Sequence, residues 1–242
     1  MADNLRGVAA IIGIGELKPE RTRPGRDAMS LLAEASYLAI QDAGLTKADI
    51  DGMIFDPELA SGSGGGYIAR MAEHMGIFPT WASGADTQGA AAVAMALQAA
   101  AYINAGLANY VLCGMSAQVD PSVPRRQGGG GRTETATTEF QVPFGPTVAP
   151  NGWYAMSGKR HEALHRATVE KRAKIAVDLR YNANHNPMAI FHDTPLTIDD
   201  VVNSRIVADP LHLLECVMPC AGACAFIVAR ADLAKNLPHA PA

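Results

Sequence analysis

The sequence predicts an α/β fold around a largely buried sheet, and three observations predict it. Residues 80–115 read as a short strand, a turn, an alanine-rich helix over 89–104 and a strand at 107–113 that is apolar on both faces. Residues 27–43 read as an amphipathic helix closed by Gly44 and followed by a second apolar strand at 52–55. The apolar fraction is 48% and the charged fraction 18%, a globular balance in a chain of 242 residues, long enough to bury one large core or two small ones.

The alanine helix organises the rest. Alanine loses no side-chain entropy in a helix and allows close approach. With almost no charge, the segment is expected to be central rather than on a surface. Its amino end would present free N–H groups and a positive dipole, a place that stabilises a nucleophile or an oxyanion.

Taken in order, residues 7–14 form a buried strand ending in a turn at Gly13-Ile14-Gly15. A third glycine at dinucleotide spacing is missing, because Lys18 stands there, so no nucleotide site is inferred. In the 27–43 helix, Leu31, Leu32, Ala35, Leu38 and Ala39 make the apolar stripe. Residues 61–66 are a glycine–serine linker without the Lys-Ser/Thr ending of a phosphate loop. A short helix over 67–75 closes at Gly76.

Beyond Met115 the composition changes. Residues 120–150 hold prolines, Arg125, Arg126, a run of glycines from Gly128 to Gly131 and many threonines, which reads as an irregular excursion. Two helices follow at 151–165 and 168–184, the second with Thr168 as N-cap and Ala173, Ile175, Ala176, Val177 and Leu179 as its buried side. Thr197 caps a short helix, and a buried strand follows at 221–228.

The net charge of −4 gives no reason to expect nucleic acid or an anionic membrane as partner. No apolar run is a membrane span, and MADNLRG has no charged head followed by an apolar region, so no secretory signal is read. Four cysteines with no signal point to free thiols in a reducing cytoplasm.

Three motifs carry a family resemblance. They are the small-residue helix followed by Gly106-Leu107-Ala108-Asn109, the run from Asp42-Ala43-Gly44-Leu45 to Asp49-Ile50-Asp51, and the C-terminal segment 179–216. That segment, LRYNANHNPMAIF…PLTIDDVVNSRIVADPLHLLEC, is similar to the sterol-carrier-protein or lipid-transfer-protein type of thiolase. The chain resembles the N-terminal half of a thiolase, about the first 60% by typical domain sizes.

The resemblance implies a five-stranded mixed sheet with helices on both faces plus an inserted loop domain. It divides the chain into a core at 1–118, a loop domain at 119–195 and a return to the core at 196–242. Two positions depart from the family pattern: Asn109 stands for Asp, and Ala221 stands for the Asp of Asp-Gly-Ala-Ala-Ala.

A thiolase places its nucleophilic cysteine at the start of the central helix. Counting back by the family's helix length puts that position at Gly89, and a register anchored on the small residues after the nucleophile puts it at Asp86. Neither is cysteine. The family's His-Gly and Gly-His-Pro elements are absent from this sequence. Cys113 sits at the wrong end of the helix and reads as a buried structural thiol.

Cys216, Cys220 and Cys224 are four apart but interrupted by Pro219, so they are not read as metal ligands. His161 and His165 are four apart on a helix, a spacing that can hold a metal; beside Lys159, Arg160 and Glu162 they are read as a solvated face. No metal is expected.

The resemblance therefore points to the branch that performs retro-aldol cleavage of β-hydroxyacyl-CoA with a glycine at the nucleophile position. It implies a coenzyme A thioester as substrate and no covalently bound cofactor, with Arg125 and Arg126 as candidate contacts to a CoA phosphate. Implied partners are a second copy, a thiolase C-terminal half, or a small acyl-CoA-binding protein with an OB-fold and zinc ribbon. The alternatives are a catalytically silent subunit or lipid-binding module, and a truncated acetyl-CoA acetyltransferase-like enzyme.

Overall fold

The computed structural model describes residues 5–56, 66–118, 150–234 and 238. The chain divides into two compact units, Met1–Asp120 with Cys220–Ala242, and Pro121–Pro219.

The first unit is built on β1 (Ala9–Glu16), α1 (Ala28–Asp42), β2 (Gly52–Phe55), α2 (Tyr67–Met75), β3 (Trp81–Gly84), α3 (Ala91–Asn104), β4 (Tyr110–Ala117), β7 (Gly222–Arg230) and α7 (Ala231–Ala234). The strands form one mixed sheet in the order β1-β7-β4-β2-β3. β7 is antiparallel to both β1 and β4, while β4, β2 and β3 run parallel. On one face α1 and α2 pack through Leu31, Leu32, Ala35 and Met71 onto Met53, Phe55, Leu112 and Ile227. On the other face α3 packs through Ala91, Met95, Ala99 and Ile103 onto Ile54, Val111, Cys113 and Val228.

The parallel register is pinned at its amino end by Asp51. Its carboxylate accepts the backbone N–H of Asn109 at 2.8 Å, that of Tyr110 at 2.8 Å and the Asn109 side-chain amide at 2.9 Å. The Asn109 carbonyl oxygen Oδ1 in turn accepts from the Arg230 guanidinium at 2.8 Å. An aspartate at 109 would set a second carboxylate against Asp51, so the amide is the side chain this junction accommodates. Ala221 is fully buried and its backbone exchanges hydrogen bonds with Glu20, which leaves no place for the charge of an aspartate.

Two expectations change here. β1 runs through Gly13 and Gly15 instead of turning at them. A Cβ at Gly15 would lie 2.1 Å from the Ala35 carbonyl oxygen and 2.6 Å from the Ala39 nitrogen, so the glycines let α1 press directly on the strand. β4 begins at Tyr110, later than expected, because Gly106 takes a left-handed conformation (φ 73°) and Leu107 belongs to the turn that closes α3.

α3 is not central within this chain. It buries one stripe and exposes the opposite one, with Val93 at 75% and Leu97 at 61% exposure. On α1, Ser36 and Ile40 are buried, and Leu38 lies at the stripe's exposed margin.

The second unit holds α4 (Asn151–His165), α5 (Val169–Asn184), α6 (Ile198–Asn203) and the hairpin β5 (Ile206–Ala208) with β6 (Leu211–His212). Residues 196–219, grouped with the core on the sequence, are in this unit. Arg172 of α5 joins its parts. It donates to Glu215 at 2.9 Å and to the Pro210 carbonyl at 2.7 Å, and it pairs with Glu162 of α4. The Ser-Arg…Pro-Leu…Glu-Cys motif is therefore a folding motif of this unit, since Pro210 and Glu215 meet one guanidinium.

Ile175 and Leu179 are exposed, contrary to the expected buried side of α5. Ala173, Ala176, Val177 and Arg180 share a face at helical spacing, and 175 and 179 fall on another. Thr168 stands at the N-cap without a capping bond to the helix backbone, whereas Thr197 accepts from the Asp200 N–H at 3.1 Å.

A Gly15→Ala change drives a methyl into helix backbone and should cost about 2–4 kcal/mol, read by urea denaturation. Asp27 caps α1, and the Ser30 backbone N–H holds its carboxyl below the usual carboxylate value. Its stabilising effect is present above about pH 3.9, the unfolded value, and is lost as pH falls through the lower folded value. Asp27→Ala should therefore destabilise by about 1 kcal/mol at neutral pH, a difference that shrinks below pH 3 in the same assay.

Candidate active site

Ligands of open α/β sheets bind at the carboxyl ends of parallel strands. Here that edge holds the end of β3, the turn into α3, and the ends of β2 and β4.

After Gly84 the chain turns back under one hydrogen bond, from the Ala85 N–H to the Phe55 carbonyl at 3.0 Å. Asp86 and Thr87 are exposed in the connection. A single 3-10 turn, Gln88–Ala90, leads into α3. Ala90 occupies the N-cap and offers no side-chain oxygen to the first N–H groups of α3. They face an edge where the helix dipole is positive.

Gly89 lies in this turn and is exposed. A Cβ built on it would meet nothing within 4 Å, and its φ is not left-handed. Neither packing nor backbone conformation demands glycine there. That contrasts with Gly114, where a Cβ would lie 2.8 Å from a Leu32 methyl and 3.0 Å from the Cys224 carbonyl oxygen.

At the same edge sit three buried polar residues that sequence reasoning does not single out. Asp56 follows β2 at 1% exposure, with its N–H donating to the Gly114 carbonyl at 3.2 Å. Ser116 of β4 is 3% exposed, and its hydroxyl donates to the Ala28 carbonyl at 2.7 Å, fastening the start of α1. Tyr67 opens α2 at 3% exposure; burial pushes its phenol above the usual value, and the Ser116 hydroxyl beside it opposes that shift. The only sequence signal is at Asp56, a polar residue directly behind an apolar strand.

Cys113 is not a substitute nucleophile. It lies under α3 with Sγ 4.0 Å from the Met95 and Val111 carbonyl oxygens, and burial drives its thiol far above the usual value. Cys216 ends a 3-10 turn, Cys220 lies in a connection and Cys224 lies within β7, so they share no helical face. Among the described residues no three or more His, Cys, Asp or Glu side chains gather as metal ligands, and no helix is long and apolar enough to cross a membrane. Arg125 and Arg126 lie outside the described residues.

No protein-family model matches the chain. It is 34% identical over 245 residues to a steroid side-chain-cleaving aldolase of Thermomonospora curvata, across 98% of this chain and 61% of that protein. It is also 34% identical over 248 residues to 17-hydroxy-3-oxo-4-pregnene-20-carboxyl-CoA lyase of Mycobacterium tuberculosis, with the same coverage of 98% and 61%. The solved Ltp2–ChsH2(DUF35) aldolase superposes with a TM-score of 0.83 at 33% identity, over 99% of this chain and 60% of that one. A monomeric SCP2-thiolase-like protein of Mycobacterium smegmatis shares the fold, with a TM-score of 0.69 at 20% identity, over 97% of this chain and 47% of that one.

The chain has a thiolase-like fold. Its homologues lie in the thiolase-like retro-aldolase branch. It spans 61% of the length of each of these two curated relatives.

In the native protein Cys113 should resist a thiol reagent at pH 8 and react only on unfolding, as mapped by peptide mass spectrometry. Labelling of native Cys113 at the rate of an exposed thiol would contradict its burial.

Proposed function

We propose that this chain forms part of a thiolase-like enzyme that cleaves a carbon–carbon bond in a β-hydroxyacyl-CoA by retro-aldol chemistry. The observation that carries the proposal is Gly89: a glycine at the entry to α3, in open space, where the fold itself does not call for one. A thiolase needs a sulfur at this helix entry to take up the acyl group. Retro-aldol cleavage forms no acyl-enzyme. A base removes the proton of the β-hydroxyl, the Cα–Cβ bond breaks as a carbonyl forms at Cβ, and the electron pair passes to the thioester as an enolate. Protonation at Cα then completes the products.

The chain's own contribution is space at Gly89 and uncapped N–H groups at the start of α3, suited to the thioester oxygen as negative charge develops on it. Asp86 is a second candidate on the same connection. Arg125 and Arg126 are proposed contacts to a CoA phosphate. The base belongs to the part of the thiolase fold that carries the family's histidine elements.

The exposed stripe of α3 supports association with that part. A heteromeric partner is proposed as well, because the similar aldolase structure pairs Ltp2 with ChsH2(DUF35). The division of labour would be a thiolase core and a separate acyl-CoA-binding protein. The core at 1–118, the loop domain from 119 and a cytoplasmic location are part of the same proposal.

The test is incubation of the chain, with the proteins encoded beside it, with a β-hydroxyacyl-CoA, following the released carbonyl compound and the shortened CoA ester. Gly89→Leu should reduce cleavage by about a hundredfold, since it fills space meant for substrate, with a melting temperature within a few degrees of the parent. Absence of both cleavage and CoA-ester binding would overturn the proposal.

A further inference from the structure

The C-terminal turn of α4 carries His161-Glu162-Ala163-Leu164-His165. We infer that His161 and His165 form a two-histidine site for a divalent transition-metal cation such as Zn²⁺ or Ni²⁺, with water completing its coordination.

The geometry carries this inference. The two imidazoles are exposed and on one helix face, with ring centroids 4.7 Å apart and planes inclined by 42°. A cation about 2.1 Å from one nitrogen of each ring, subtending about 90–110° between them, would hold the centroids about 4.5–5.2 Å apart. The observed spacing falls inside that window. Imidazole suits Zn²⁺, Ni²⁺ and Cu²⁺. The site also lies at the helix carboxyl end, where the dipole favours a cation. Arg166 follows in a left-handed conformation (φ 52°) with its N–H donating to the Glu162 carbonyl at 2.8 Å, so the turn that carries the pair is closed.

The same residues exclude hydrolytic chemistry of the kind that His-Glu-x-x-His helices support. There the glutamate acts as base on a metal-bound water. Here the Glu162 carboxylate is taken by Arg172, with Lys159 3.9 Å away, while both histidines face solvent. The bound cation would clip the last turn of α4 next to the Glu162–Arg172 joint. Its role is structural.

The test uses residue-specific footprinting, because free thiols elsewhere also bind metal. The full chain is treated with diethyl pyrocarbonate with and without ZnCl₂ or NiCl₂, and modified histidines are mapped by mass spectrometry. Metal should protect His161 and His165 together and leave exposed His185 modified. In His165→Ala, protection of His161 should require at least tenfold more metal, and the converse should hold for His161→Ala. Circular dichroism should be unchanged in both variants, since the rings are exposed. Undiminished protection of His161 in His165→Ala, or no protection of the pair up to millimolar metal, would overturn the inference.

Discussion

Asp51 accepts three N–H groups from Asn109 and Tyr110 at the entry to β4, and its own backbone carbonyl accepts from Thr80 and Trp81 at the entry to β3. One residue therefore aligns the amino ends of all three parallel strands. A slip of one residue would turn every side chain of β2 and β4 to the wrong face. Met53 and Phe55 must meet α1 and α2 while Ile54 meets α3, so the register at Asp51 decides both cores at once. It also decides where the opposite ends fall, and so where Gly89, Asp56 and Ser116 are placed. Asn109 extends the junction to β7 through Arg230, which ties the antiparallel half of the sheet to the parallel half.

The alanine-rich α3 follows from that arrangement and departs from it in one respect. Its buried stripe is spaced by four, Ala91, Met95, Ala99 and Ile103, and small residues bring the helix close to the sheet. The other side is equally apolar but exposed in this chain. Apolar surface of this kind marks a face that another body covers. The chain spans only part of the length of its relatives, and low charge all round a helix belongs to a helix covered on both sides. The association proposed above would cover that face.

Much of the fold was legible in the sequence because burial leaves a period. The α1 and α2 helices, β2, and the Thr197 cap fall where apolar spacing and capping chemistry put them. The misses have distinct physical causes. Gly13 and Gly15 resemble turn residues, but they are strand residues pressed by helix backbone, and only a partner distant in sequence distinguishes the two. On α5, Ile175 and Leu179 follow a period of two from Ala173 and Val177, which a helix does not obey. Asp56, Tyr67 and Ser116 were invisible because their burial is created by three elements meeting at a sheet edge. The family motifs proved legible for another reason: the side chains of Asp51, Asn109 and Glu215 each make a specific long-range contact that the fold requires.

What the fold requires also bears on Gly89. Glycine in this fold is mostly explained by contact or by backbone. Gly15 lies under α1, Gly114 lies against Leu32, Gly52 has Val111 and Ala108 within 3.0 Å of its missing Cβ, and Gly44, Gly76 and Gly106 have positive φ. Gly89 has neither reason. It sits at the entry to α3, whose N-cap residue supplies no side-chain acceptor, at the carboxyl edge of a parallel sheet. Adding a side chain there would leave the fold intact and take space from whatever binds. A reaction whose bond-breaking electrons come from the substrate's own hydroxyl has no use for a nucleophile at that point, but it does need room for the thioester and donors for its oxygen. On the retro-aldol proposal, the absence of a side chain is a functional property of the position.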